Sequence, residues 1–205
     1  MAKRDYSAAI IKVLPAGESV RSRPGMYFGV GRDDPELPTR VLGAVLGDLL
    51  HPPPRSSLRP PIRVRADITA DLAFSIGNDQ LDPLDDRNLP VPGYFGMIGP
   101  NAWAPAAVAA LCRHAVAEIW RDGHGFRQQL GGLPPEPPFE RIESKRPGSG
   151  FHITYELDPA YFRADASLPT APDTLRLHGP GCPERCAPGE VTLHDHRGGA
   201  AHRLR

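Results

Sequence analysis

The stretch RSRPGMYFGV, Arg21 to Val30, decides how this chain is read. Upstream of it, Ile10 to Val20 places apolar residues at 10, 11, 13, 14 and 20, a helical pattern expected to stop at Pro24-Gly25. Downstream, the loop GVGRDDPELP leads into TRVLGAVLGDLLH. There Thr39 is expected to cap a second helix, and Val41, Leu42, Val45, Leu46, Leu49 and Leu50 form its apolar stripe. The proline run after His51 ends it.

Beyond the prolines, IRVRADI alternates apolar and polar residues as a half-buried strand does, and LAFSIGN is its expected partner. A long Pro- and Gly-punctuated loop follows, of the kind that often carries function. The alanine-rich WAPAAVAALCRHAVAEIWRDG predicts one long helix that holds Trp103, Cys112 and Trp120, with Cys112 an inert core thiol. Strands are expected at GFRQQL, at FHITYEL after the linker GGLPPEPPFERIESKRPGSG, and at EVTLHDHRGG. This order predicts an α+β fold: a two-layer sandwich with a mixed, mostly antiparallel sheet and helices on one face. A single domain is expected over residues 1–205, with an arm at 1–14 and a Pro/Gly-rich segment at 163–205.

Charge narrows the functional classes. Lys and Arg total 24 and Asp and Glu total 24, so no bulk positive field draws the chain to nucleic acid or anionic membrane. No apolar run nears the roughly 20 residues of a membrane span, and the start lacks a signal-peptide core. A cytoplasmic location is expected. Arginine outnumbers lysine, which occurs only at Lys3, Lys12 and Lys145, and Pro (25) and Gly (21) abound, a bias that points to a high-GC bacterial genome. Cys182, Cys186, His194 and His196 are zinc-binding types, but the Cys-x₃-Cys spacing is loose and His-x-His is common on strand surfaces. They stand as weak metal candidates, and no metal is assigned.

The segment YSAAIIKVLPAGESVRSRPGMYFG resembles the start of the ATPase domain of the DNA gyrase B family, in which a Tyr-bearing arm precedes Ile-Lys-Val-Leu and Arg-Pro-Gly-Met-Tyr-Ile-Gly. FRQQLGGLP, GSGFHITYELDPAYF and EVTLHDHRGG are similar to later segments of that domain, so the resemblance covers essentially the whole chain. It implies the Bergerat fold of the GHKL superfamily. It also implies that Tyr6 lies on an arm able to reach the second copy in a homodimer.

Set against that family, the catalytic positions are depleted. The resemblance puts the general base and the magnesium-holding Asn of Glu-x-x-Asp-Asn at Gly43 and Gly47 of GAVLG, and a one-residue shift that brings in Asp48 leaves Ala44 at the base. The adenine-reading Asp falls at Asp79, after Asn78, and Gln80 and Asp82 follow instead of glycines. Phe151 stands where the family has an adenine-gripping Thr. The phosphate loop becomes GYFGMIGPNAW, which keeps Gly96 and Gly99 but adds Met97 and Ile98, while Pro100 removes a donor. Arg127 is the basic residue left to meet a phosphate. Loss of the base alone costs on the order of 10² to 10⁴ in rate, so no ATP hydrolysis is expected.

Three functions remain open on the sequence. The first is a degenerate relative that binds a small molecule or a nucleotide without magnesium-dependent hydrolysis. The second is an enzyme of specialised metabolism with the cleft rebuilt around an apolar substrate, Asp48 or Asp79 acting as acid–base. The third is an interaction module related to gyrase.

Overall fold

The structure, a computed structural model, describes residues 14–51, 61–80, 90, 95, 103–131, 138–178 and 189–204. Four short helices, α1 (Ala16–Ser22), α2 (Pro24–Phe28), α3 (Leu37–Leu50) and α4 (Ala104–Ala109), pack on one face of a single sheet. Its strands are β1 (Ile62–Ala70), β2 (Ala73–Asn78), β3 (Cys112–Arg121), β4 (His124–Gln129), β5 (Glu140–Glu143), β6 (Ser149–Leu157), β7 (Gly189–Asp195) and β8 (Ala200–Leu204). They run in the order β5-β4-β3-β6-β2-β1-β7-β8, antiparallel throughout except where β1 lies parallel to β7. The expected two-layer sandwich is therefore the architecture observed. Among the described residues no helix is long and apolar enough to cross a membrane.

Period-two alternation sorts the side chains between faces. Ile62, Val64, Ala66 and Ile68 of β1, Phe151, Ile153 and Tyr155 of β6, and Val191 and Leu193 of β7 are buried under the helices. Arg63 and Arg65 of β1 are exposed on the other face. The stripe predicted on α3 closes the core from above, with Val41, Leu42, Val45, Leu46 and Leu50 buried.

Several local expectations are corrected. The predicted long helix stops at Ala109, and Cys112–Arg121 is instead β3, bonded between β4 and β6 with Ala115, Ala117 and Ile119 buried at every second position. Alanine favours helix intrinsically, but ladder pairing on both sides of this segment outweighs that weak preference. Trp120 thus sits on a strand. Cys112 opens that strand, its Sγ–H donating to the Val108 carbonyl at 3.2 Å while burial raises the thiol pKa, so it stays a protonated thiol. Thr39 is no cap, because α3 begins at Leu37 with Pro38 in its first turn. The linker contains β5, and the closing strand turns back as β8.

Pro24-Gly25 starts a helix rather than ending one, since proline at the first helical position gives up only an N–H that is unpaired anyway. Gly29 ends it at φ 77°, a left-handed conformation that glycine adopts without a steric cost. Around this turn the arginines act as ties. Arg21 Nη2 meets Asp158 Oδ2 at 2.6 Å, Arg32 Nε donates to the Tyr161 carbonyl at 2.9 Å, and both guanidiniums lie over the Tyr161 ring at 4.6 and 4.8 Å. Tyr161 in turn donates its hydroxyl to the Arg21 carbonyl at 2.8 Å. RSRPGMYFGV therefore joins the helical layer to the chain leaving β6.

Candidate functional site

Gly43 and Gly47 lie one turn apart on α3, and the protein's own chain covers them. A Cβ at Gly47 would stand 3.1 Å from the Leu177 carbonyl oxygen, tighter than normal packing, and one at Gly43 would stand 3.6 Å from the Arg176 carbonyl oxygen. Leu175 and Leu177 are buried in the same layer. The two glycines thus serve as a notch for residues 175–177 instead of lining space for a ligand. The segment is fastened beyond the notch. His51 Nδ1–H donates to the Gly47 carbonyl at 2.7 Å, which leaves Nε2 as the acceptor that meets His178 Nδ1 at 3.2 Å.

Asp48 is half-buried beside this pair. Burial raises its pKa from 3.8 to about 6, and the nearby His51 only partly opposes the rise. Between pH 3.8 and about 6 the folded protein therefore holds a proton that the unfolded chain has released, so stability falls as pH rises through that window and stays lowered above it. Asp48→Asn is expected to be the more stable protein at pH 8 by about 1–3 kcal/mol, an advantage that fades toward pH 4. Urea titrations of both proteins across pH check this; a pH-independent difference would contradict it. The buried Tyr155 hydroxyl, which has no hydrogen-bond partner among the described residues, feels Asp48 and has a raised pKa, chiefly from burial.

On the buried face of the sheet, Phe151 packs against Phe95, ring centroids 5.1 Å apart. Asn78, the last residue of β2, accepts the Gln80 N–H on Oδ1 at 2.9 Å, while its buried Nδ2 has no partner among the described residues. Asp79 is exposed, so of the two carboxylates expected in an apolar pocket only Asp48 is desolvated. Arg127 does not reach this region: it alternates with the core residues Phe126 and Gln128 and pairs with Glu118 at 2.6 Å on the helix-free face. Gly96, Met97, Ile98, Gly99, Tyr6, Cys182 and Cys186 lie outside the described residues. His194 is on β7, and His196 Nε2 pairs with Asp67 at 2.8 Å. Among the described residues no group of three or more metal-ligating side chains is poised to hold an ion.

The helix-free face holds a trough of about 610 Å³ across β1, β2, β6 and β3. Asn78, Asp79, Phe151 and His194 border it, together with residues that no motif singles out: Arg63, Arg65, Trp120, Arg146 and His152. The available signal is the alternation of IRVRADI, which puts two arginines on its polar face.

No family model matches the chain, and no curated protein matches it. Among solved structures it is similar to the 43K ATPase domain of Thermus thermophilus gyrase B, crystallised with an aminocoumarin. The TM-score is 0.67 at 19% identity, over 93% of this chain and 51% of that one, so the chain spans about half of that protein's length. The likeness shows that the two share a fold.

Proposed function

We propose that this domain is a catalytically degenerate form of the gyrase-type ATPase fold that binds a small molecule without hydrolysing ATP. One observation carries the reading: the positions matching the family's base and metal-holding residues are Gly43 and Gly47, and the backbone of residues 175–177 lies against them. Without a proton acceptor or a magnesium ligand, water has nothing to activate it for attack on a phosphate. The remaining polar anchor is Asn78, whose buried amide nitrogen lacks an acceptor among the described residues and so suits a ligand that brings one. Phe95 and Phe151 supply apolar surface beside it. The neighbour's complex with an aminocoumarin is in keeping with such a ligand site.

Two measurements test the reading. With magnesium and ATP, phosphate release is expected to stay at the spontaneous rate; turnover above it overturns the proposal. In thermal-shift assays an aminocoumarin or adenosine is expected to raise Tm without magnesium, and Asn78→Ala to remove the gain. A second reading, an acid–base enzyme, is favoured by Asp48 alone, whose pKa of about 6 beside His51 suits proton transfer near neutrality.

A further inference from the structure

The geometry points to a second binding site, on the sheet face opposite the buried Asn78 and Phe151 side chains of the proposed function: the trough on the helix-free face takes a planar aromatic anion, a ring bearing one phosphate or carboxylate. The trough exists because Gly77 stands next to the end of β2 and Gly150 next to the start of β6, so neither position adds a side chain to this face beside His152. Both glycines are also held to that identity by packing, since a Cβ would lie 3.0 Å from the Phe151 carbonyl oxygen at Gly77 and 2.5 Å from that of Asn78 at Gly150. Its volume of about 610 Å³ suits one small molecule.

Charge selects the ligand. The arginines that line the trough are Arg63, Arg65 and Arg146, against the carboxylates Asp67 and Asp79. Arg65 is held by Asp67 at 2.8 and 2.9 Å, and the same carboxylate accepts His196, so the Asp67 charge is already matched by the Arg65 guanidinium. Arg63 is exposed and makes no ion pair among the described residues. A guanidinium fork of this kind matches a phosphate or carboxylate in two-point contact. On the same face Thr192 and His194 of β7 add hydrogen-bonding groups beside β1.

The opposite wall selects a ring. Trp120 packs against Gly150, and the Arg146 guanidinium lies 4.5 Å over its indole. The Arg146 side chain is still 48% exposed, so a flat, Trp-backed cation offers its outer face to stacking. His152 between the walls is kept neutral by burial and by Arg146, so it serves as a hydrogen-bond partner and not as a further charge.

The two indole N–H resonances, from Trp103 on the helical side and Trp120 in the trough, separate the sites in a nitrogen-15 spectrum. AMP probes the phosphate form and anthranilate the carboxylate form, with adenosine and inorganic phosphate as controls lacking charge or ring. At least one aromatic anion is expected to shift Trp120 and to bind at least about tenfold tighter than both controls. Arg63→Gln and Arg146→Gln, surface changes that leave the core intact, are each expected to weaken it about tenfold. The preferred probe identifies the anion. No Trp120 shift at millimolar probe, or an equal response in both variants, overturns the inference. A response at Trp103 alone overturns it as well, while leaving ligand binding in the former nucleotide cleft intact.

Discussion

Introducing gyrase-type catalytic side chains, as Gly43→Glu with Gly47→Asn, is expected to destabilise the domain by about 3–5 kcal/mol and to yield no magnesium-dependent turnover. Helix propensity works against this result, because replacing two mid-helix glycines gains up to about 1 kcal/mol each. Packing outweighs it. The first carbon at position 47 already stands 3.1 Å from the Leu177 carbonyl, and each further atom must displace backbone that is flanked by the buried Leu175 and Leu177. The Glu carboxylate would in addition be desolvated beside the Arg176 backbone. Gly43→Ala is the internal control: its Cβ has ordinary contacts at 3.6 Å or more, so the helix gain of about 0.5–1 kcal/mol should show. Denaturant unfolding and phosphate release on the same samples decide the matter. A stable double variant that turned over ATP would mean that residues 175–177 readily leave the notch.

Arg197→Ala is expected to cost about 3–5 kcal/mol, because Arg197 joins the sheet to the chain that leads into those covering residues. Its guanidinium grips Asp195 at 2.9 and 2.7 Å, meets Asp71 at 3.1 Å, and donates to Ser167 Oγ and to the Leu168 and Pro169 carbonyls. The Asp195 side chain is only 8% exposed, so removing the arginine strands a buried carboxylate. Arg197→Lys should recover only part of the loss, since an ammonium cannot reproduce the fork. The pH dependence carries the signature. Arg197 holds the Asp195 pKa below its ordinary 3.8, a stabilisation present above that value and lost as pH falls through the lowered one. In Arg197→Ala the acid-labile contribution should be absent. Unfolding curves of equal midpoint for wild type and variant near neutral pH would refute this role.

The strand that ends at Asp195, two residues before Arg197, is legible in EVTLHDHRGG as a closing-strand pattern, though the reach of Arg197 to Ser167 and Leu168 is not. The lack of a carboxylate in GAVLG is equally legible, because it is a matter of residue identity. Asp79 behaves differently: its motif suggests burial, but exposure depends on what neighbouring chain covers it, and there it is open to solvent. Arg127 departs from expectation for a related reason, since a one-residue parity on β4 sends it to the far face of the sheet.

By itself the sequence determined which segments alternate, which helix face is apolar and that GAVLG carries no carboxylate, because each depends on residue types at short spacing. Only the tertiary structure decided that Cys112–Arg121 is a strand, since alanine suits either state and the partners β4 and β6 settle the choice. It alone decided that residues 175–177 fill the notch at Gly43 and Gly47, fastened by a His51–His178 contact that spans 127 positions. It alone assembled Arg63, Trp120 and Arg146 around one trough. Those features arise from contacts between distant segments, and local composition carries no record of which segments will meet.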